Sequence, residues 1–205
     1  MVNFHVETKG ADMNVNIKEI SGNWDRGYAL DKHMLHSTFL GNNEHGHPQF
    51  DNVRTEAGEA VFQLKYRNQW GQAEVLAQAV IDKIVPHFGH VGLVIPMPAS
   101  QQRAQQPVHT VAVALAQKLG VHVFEGILIK NYTGKSLKDL DTREEKVNAL
   151  AGTITLGDQI TGDGKYNALV LDDLFHSGAS MEAACAVLRT YAKIDKIFVA
   201  ALTWK

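Results

Sequence analysis

The chain of 205 residues is long enough for one sizeable domain, or for a core domain with an extension. Its hydrophobic fraction of 45% is that of a globular protein and excludes a largely disordered chain. The net charge of −2 gives no reason to expect nucleic acid as a partner, and no apolar run approaches the roughly 18 residues of a transmembrane helix. The N-terminus has neither the basic nor the apolar region of a signal peptide, so we expect a soluble cytoplasmic protein.

Residues 1–54 lack the pattern of an α/β unit. Apolar and polar residues alternate at 4–7 and at 15–20, as they do in half-buried antiparallel strands, and turn residues follow at 22–23 and 41–43. We predict a β-rich N-terminal extension over 1–54. Its strands either join the main sheet or form a hood over the edge of that sheet.

This extension holds four histidines in two close pairs, and the pairs raise the hypothesis of a structural metal. They are His33 with His36, and His45 with His47. No cysteine accompanies them, and the second pair lies in a segment rich in glycine and asparagine. Loop and surface histidines are the interpretation that we favour, and the metal is the alternative.

The predicted α/β core, residues 55–205, begins with two helical patterns. Apolar residues at helical spacing cover 55–66, and a second such stripe runs from Ala73 to about His87. The segment between them, 65–70, is basic and aromatic, and by itself it predicts only a turn.

The first clear strand–loop–helix unit covers 91–120. An apolar run at 91–96 predicts a buried strand, and a loop follows at 97–103. Pro107 suits the first turn of the next helix, and Gly120 suits the C-terminal end of that helix.

A long polar segment follows the next predicted strand, 123–129. Residues 130–140 are rich in glycine, lysine and hydroxyl side chains, a composition typical of a mobile flap over an active site. The candidate cations of this flap are Lys130, Lys135 and Lys138.

The most informative stretch is 168–180. Four apolar residues predict a buried strand, and Asp172 and Asp173 follow where the strand should leave the sheet. A loop of small and hydroxyl residues, 177–180, then leads into a predicted helix over 181–191. A polar loop at a helix N-terminus binds anions through backbone N–H groups. Carboxylates beside it would repel a phosphate unless they bind hydroxyls or a divalent cation, so we predict a sugar phosphate as ligand.

The same stretch, Ala-Leu-Val-Leu-Asp-Asp-Leu-Phe-His-Ser-Gly-Ala-Ser, resembles the phosphoribosyl pyrophosphate (PRPP) signature of type I phosphoribosyltransferases. That signature has an apolar strand, Asp-Asp, two further residues and a hydroxyl-rich loop with glycine. His176 departs from it, because threonine, serine or aspartate is usual there. The Leu-Lys-Tyr-Arg segment at 64–67 is similar to the ComF-like (amidophosphoribosyltransferase-like) branch, whereas 105–109 departs from the sequence usual in that branch.

The resemblance implies both a fold and a site. The fold class is α/β, with the Rossmann-like parallel sheet of the type I phosphoribosyltransferase fold, helices on both faces and ligands at the carboxyl ends of the strands. Asp172 and Asp173 would be the catalytic residues. They would bind the ribose hydroxyls of PRPP directly or hold Mg²⁺, the implied cofactor, through its waters. Asp173 is the better candidate for stabilising positive charge at C1 of the sugar.

The remaining implied site residues form three groups. The loop for the 5′-phosphate would consist of Phe175, His176, Ser177, Gly178, Ala179 and Ser180. The pyrophosphate side would contain Ser100 and Arg103, and the flap would close over PRPP with Lys130, Lys135 or Lys138. For His176 the interpretations are a phosphate donor, a pH-sensitive switch or a loop residue with no catalytic part.

The implied reaction transfers the phosphoribosyl group of PRPP to a nitrogen nucleophile and releases pyrophosphate. The residues do not identify the acceptor. Two alternatives stay open: a non-catalytic regulator that senses PRPP or a nucleotide, and an accessory factor for DNA uptake, as some ComF-like proteins are taken to be. A homodimer is a further expectation.

Overall fold

The computed structural model describes residues 12–99, 101, 103–131, 142 and 152–205. The strands in this part of the chain are β1 (Lys18–Glu19), β2 (Arg26–Lys32), β3 (His36–Asn42), β4 (Pro48–Val53), β5 (Leu93–Pro96), β6 (His122–Val123), β7 (Leu128–Lys130), β8 (Ile154–Leu156), β9 (Tyr166–Phe175) and β10 (Ile194–Trp204). The helices are α1 (Glu56–Tyr66), α2 (Gln72–Lys83), α3 (Pro107–Leu119) and α4 (Ala179–Arg189), with a 3₁₀ helix at Val85–His87. None of these helices is long and apolar enough to cross a membrane.

A central sheet of six strands has the order β1-β2-β10-β9-β5-β6. All neighbours are parallel except β1, which pairs antiparallel with β2 at one edge. The predicted α/β class with a mostly parallel sheet is confirmed. Because the carboxyl ends of parallel strands meet at one edge of a sheet, the segments that follow β5 and β9 lie on the same side of the molecule.

Strand β9 lies inside this sheet and has helices on both of its faces. Its residues 168–171 are fully buried, as their apolar run predicts. Leu169 and Leu171 belong to the hydrophobic core formed with α1, α2 and α3, whereas Ala168 and Val170 belong to the core formed with α4. Since successive side chains of a strand point to opposite faces, the residues beyond Leu171 can be assigned to these two layers in turn.

Helix α1 is fixed against the end of β2 by its first turn. Thr55 caps α1 by accepting a hydrogen bond from the Gly58 N–H (2.9 Å), and its hydroxyl donates to the carbonyl oxygen of Lys32 (2.6 Å). A Cβ at Gly58 would overlap the carbonyl oxygen of His33, so only glycine allows this close approach. The side chains of α1 therefore have defined positions relative to the central sheet.

Two parts of the sheet differ from the expectation. The predicted strand over 123–129 is divided, because β6 stays in the central sheet whereas β7 pairs antiparallel with β8. The chain turns away at Gly126, whose N–H donates to Oε1 of Gln159 (3.0 Å). Strand β2 was not predicted, because its sequence lacks a clear alternation of apolar and polar residues and the strand depends on pairing with β10.

The described part of the N-terminal segment contributes strands to two different sheets. β1 and β2 belong to the central sheet, whereas β3 and β4 form a separate antiparallel hairpin. This hairpin is exposed along both strands, and its Phe39 and Phe50 rings lie 5.5 Å apart between centroids. The division of the chain into 1–54 and 55–205 stays a prediction.

We expect Gly58→Ala to destabilise the protein by about 1–3 kcal/mol, because the added methyl group would push α1 away from the end of β2. Gly71→Ala is the matched control. A Cβ at Gly71 meets nothing within 4 Å, so the free energy of unfolding should change by less than about 0.5 kcal/mol. Urea unfolding followed by circular dichroism measures both variants. Equal stabilities would contradict the tight packing of α1 on this strand.

Candidate functional site

Asp172 and Asp173 lie inside β9 and not beyond its end, which corrects the expectation from the sequence. β9 continues to Phe175 because β10 continues beside it to Trp204 and pairs with it. Both aspartates are half-buried. By the alternation along the strand, Asp173 faces the layer of α1, α2 and α3, as Leu171 does, and Asp172 faces the opposite layer.

Asp173 forms an ion pair with Lys65, a residue for which the sequence predicted no function. Nζ of Lys65, in the last turn of α1, lies 2.5 Å from Oδ2 of Asp173. The two side chains are 21% and 20% exposed, so little water screens the pair. The Thr203 hydroxyl donates to the backbone carbonyl of Asp173 (2.7 Å) and lies 3.2 Å from Nδ1 of His33. Asp173 is thus held through both its side chain and its backbone.

Asp172 is half-buried as a residue, but its carboxyl group is enclosed by protein, and these surroundings determine its pKa. Burial raises the pKa of Asp172, and the charge of Asp173 raises it further, to about 7. The backbone N–H of Asp173, which donates to Oδ1 of Asp172 (2.8 Å), opposes this rise, as do the ammonium groups of Lys65 and Lys130. Burial also lowers the pKa of Lys130 in β7, against the charge of Asp172. Each carboxylate therefore has a nearby lysine from a different layer.

The turn between β9 and α4 consists of residues 176–178 and is shorter than the predicted loop. Phe175 belongs to β9, whereas Ala179 and Ser180 form the start of α4. Gly178 has a φ of +78°, in the left-handed region that favours glycine, and no side chain caps the helix that follows it. Backbone N–H groups at such a helix N-terminus can bind an anion.

A cavity of about 570 Å³ opens beside the two carboxylates. It brings together the predicted site residues Asp172, Asp173, Arg103, Lys130 and Ser180. Residues 175–179 do not line it; among them His176 is exposed and Ser177 is half-buried. Ser100, Lys135 and Lys138 lie outside the described residues.

Arg103 connects this cavity to the C-terminal end of α1. Its Nη1 donates to the carbonyl oxygen of Lys65 (2.7 Å), and its guanidinium lies 5.6 Å from the centre of the Tyr66 ring. Lys65 and Tyr66 also line the cavity. From the sequence, the Leu-Lys-Tyr-Arg segment indicated only a turn and a resemblance to a subfamily. The signal that could have identified this part of the cavity wall is a lysine followed by a tyrosine at the end of a predicted helix.

A second pair in the cavity wall was also missed. Nε2 of His109, in the first turn of α3, lies 2.5 Å from Oε1 of Glu125. The distance is that of an ion pair, but the geometry does not make a hydrogen bond, and the buried Nε2 has no hydrogen-bond partner. No motif could have linked the two residues, because their contact depends on where β6 ends.

The donor types of Asp172 and Asp173 fit a hydrated Mg²⁺, because Mg²⁺ binds carboxylate oxygens and retains several waters. Asp173 already has the Lys65 ammonium as a counter-ion, so a metal there would have to displace it. Within the described ranges, no group of three or more His, Cys, Asp or Glu side chains could hold a metal. The alternative of a structural metal among the N-terminal histidines has no support from these residues.

Comparison of the sequence with models of known protein families and with curated proteins finds no match. Among solved structures, the chain is similar to adenine phosphoribosyltransferase from Saccharomyces cerevisiae at 13% identity, with a TM-score of 0.42 over 82% of this chain and 84% of that one. For the enzyme of the same name from Trypanosoma brucei, the identity is 10% and the TM-score 0.44, over 93% and 89% of the two chains.

A third similar structure is the glutamine PRPP amidotransferase of B. subtilis, at 14% identity and a TM-score of 0.45. The match covers 78% of this chain and 34% of that one, so this chain spans about a third of that protein's length. At identities of 10–14% these likenesses concern the fold alone.

We expect Asp172→Asn to stabilise the protein at alkaline pH. A carboxyl whose pKa rises from 3.8 to about 7 on folding stabilises the folded state fully below pH 3.8 and loses that contribution as the pH rises through 7. Asparagine has no such proton to lose. The stability of the variant relative to the wild type should therefore increase by up to about 4 kcal/mol between pH 4 and pH 8, measured by urea unfolding.

Asp25→Asn is a control for which we expect the opposite dependence of stability on pH. Oδ2 of Asp25 accepts hydrogen bonds from the Ile197 N–H (2.8 Å) and from Arg189 (2.7 Å). Burial raises the pKa of Asp25, but these donors outweigh burial and hold the pKa below 3.8. Asp25 therefore stabilises the fold above pH 3.8, and its replacement should lower stability most near neutral pH. If the difference in unfolding free energy between Asp172→Asn and the wild type does not vary with pH, the Asp172 carboxyl group does not have the raised pKa that its enclosure by protein would cause.

Proposed function

We propose that this chain is a phosphoribosyltransferase-like protein that binds PRPP at the carboxyl end of β9 and transfers its phosphoribosyl group to a nitrogen nucleophile. One observation carries the proposal. Asp172 and Asp173 lie near the end of β9, two residues before the 176–178 turn that leads to the uncapped N-terminus of α4, and they line a cavity with cationic side chains. The resemblance of 168–180 to the PRPP signature also supports PRPP as the ligand. The resemblance of the Leu-Lys-Tyr-Arg segment at 64–67 supports membership of the ComF-like branch.

The charges around the cavity favour a ligand that has both hydroxyl and phosphate groups. Asp172 and Asp173 would repel a plain phosphate, but they can accept hydrogen bonds from ribose hydroxyls. The N-terminus of α4 suits the 5′-phosphate, and Arg103 and Lys130 suit a pyrophosphate. The cavity of about 570 Å³ is within the usual size range of small-molecule sites.

In the proposed reaction, the bond between C1 of the ribose and the pyrophosphate oxygen breaks, and a bond forms between C1 and the acceptor nitrogen, which releases its proton to solvent. Positive charge develops on the sugar ring, as in other glycosyl transfers. Asp173 would stabilise this charge, and Arg103 and Lys130 would bind the leaving pyrophosphate. Mg²⁺ held by Asp172 and Asp173 would neutralise part of the charge of the diphosphate.

PRPP with Mg²⁺ should raise the melting temperature and bind in calorimetry. We expect Asp172→Asn and Asp173→Asn each to weaken PRPP affinity about 10- to 100-fold, because a hydrogen bond to a charged group contributes about 1.5–3 kcal/mol. Asp163→Asn, in an exposed segment before β9, is the control and should leave the affinity unchanged.

Pyrophosphate release with a panel of purines, pyrimidines and ammonia then tests the transfer. Release by the wild type that is absent from the doubly substituted Asp172→Asn/Asp173→Asn protein supports the enzyme. Tight PRPP binding without release on any acceptor favours a regulator that senses PRPP. If neither PRPP nor any nucleoside monophosphate changes the melting temperature, the proposed ligand is wrong.

Arg103→Met should weaken the binding of PRPP and of pyrophosphate at least about tenfold, because it removes a charge-assisted contact to the diphosphate. It should change the affinity for a nucleoside monophosphate much less, since that ligand has no diphosphate. Arg67→Met is the matched control, because Arg67 is an exposed arginine at the end of α1. Equal losses in both variants, measured by calorimetry, would exclude a specific role for Arg103.

A further inference from the structure

The ammonium of Lys65 occupies the place beside Asp173 that a divalent cation would need. Nζ lies 2.5 Å from Oδ2, and both side chains are mostly buried. Mg²⁺ binds carboxylate oxygens at about 2.0–2.1 Å. An ammonium and a metal ion at the same carboxylate oxygen would repel each other strongly in surroundings with little water. The two cations therefore exclude each other at Asp173.

This ion pair differs from the pairs on the protein surface. Lys118 and Glu74, for example, lie 3.2 Å apart on neighbouring helices, and the Glu74 side chain is 60% exposed. Such an exposed pair contributes little to stability, and neither of its residues lines the cavity. The pair of Lys65 and Asp173 is shorter, more buried and part of the wall of the cavity.

The fold fixes the backbone of Lys65 and leaves its side chain able to move. Thr55 and Gly58 hold the first turn of α1 on the end of β2, and Arg103 donates to the Lys65 carbonyl at the other end of the helix. A lysine side chain is a flexible four-carbon stem with a compact charge. Nζ can thus leave Asp173 for an anion in the cavity without any movement of α1.

We propose that Lys65 is an internal counter-ion that keeps Asp173 closed to divalent cations until an anionic ligand attracts the ammonium away. The identity of that ligand rests on the proposed function: it is the pyrophosphate group of PRPP. Lys65 then contacts the pyrophosphate, and Asp173 becomes available to a divalent cation. As a result the free protein binds the metal weakly, and metal and PRPP bind together.

The test uses Mn²⁺ alone as the probe and measures its affinity for the full chain without PRPP, by electron paramagnetic resonance of the unbound ion. Lys65→Met should bind Mn²⁺ at least ten-fold more tightly than the wild type, and adding Asp173→Asn should abolish this gain. Lys65→Arg, which keeps the charge, should behave as the wild type. So should Lys118→Met, which removes a paired lysine elsewhere. Mn²⁺ should also raise the melting temperature of Lys65→Met and not that of the wild type.

Equal Mn²⁺ affinities of the wild type and Lys65→Met would overturn the proposal, and so would a gain that persists with Asp173→Asn. If circular dichroism shows that Lys65→Met does not fold, Lys65→Gln is measured in its place. In a second arm, PRPP should increase the Mn²⁺ affinity of the wild type more than that of Lys65→Met. The first arm contains no PRPP, so it tests the role of Lys65 even if PRPP does not bind. A failure of PRPP to bind would contradict the proposed function and not the role of Lys65.

Discussion

The candidate site depends on how two adjacent carboxylates are accommodated in a strand that is buried on both faces. β9 pairs with β10 on one side and β5 on the other, and residues 168–171 are fully buried. Asp172 and Asp173 continue the same strand, and a buried carboxylate without a partner costs several kcal/mol. Because side chains alternate along a strand, one positive charge has to come from each layer. Lys65 on α1 and Lys130 on β7 meet this requirement.

This requirement links the N-terminal part of the chain to the site. Lys65 reaches Asp173 because α1 lies where the Thr55 hydroxyl and the close contact at Gly58 hold it against the end of β2. β2 in turn is the neighbour of β10, whose Thr203 binds the backbone of Asp173. A segment that the sequence describes as an extension therefore helps to place the charges of the site. The hairpin of β3 and β4 has no such part in the described structure, since it pairs only with itself.

Local pattern predicts the elements that depend on local interactions. The apolar run at 168–171 indicates β9, and Pro107 and Gly120 mark the first residue of α3 and its left-handed cap, as observed. β2 and the outer part of β9 were not predicted, because both depend on the ladder with β10, which leaves no local signal. The same limit applies to the site. The aspartates could be predicted because they belong to a sequence motif. The contact of Lys65 with Asp173 could not, because it joins a helix to a strand that is distant in sequence.

The balance of charge around the cavity restricts the ligand further than the motif does. The cavity wall contains three cations, Lys65, Lys130 and Arg103, and three carboxylates, Asp172, Asp173 and Glu125, and the positive end of α4 lies beside it. A nucleobase or an uncharged sugar would leave the ion pair of Lys65 and Asp173 in place and would neutralise none of these charges. A plain polyphosphate would draw the lysines away and leave the carboxylates buried without a counter-ion. A sugar that bears both phosphates and free hydroxyls satisfies the two sets together, because the lysines can move to the phosphates while the hydroxyls donate to the carboxylates.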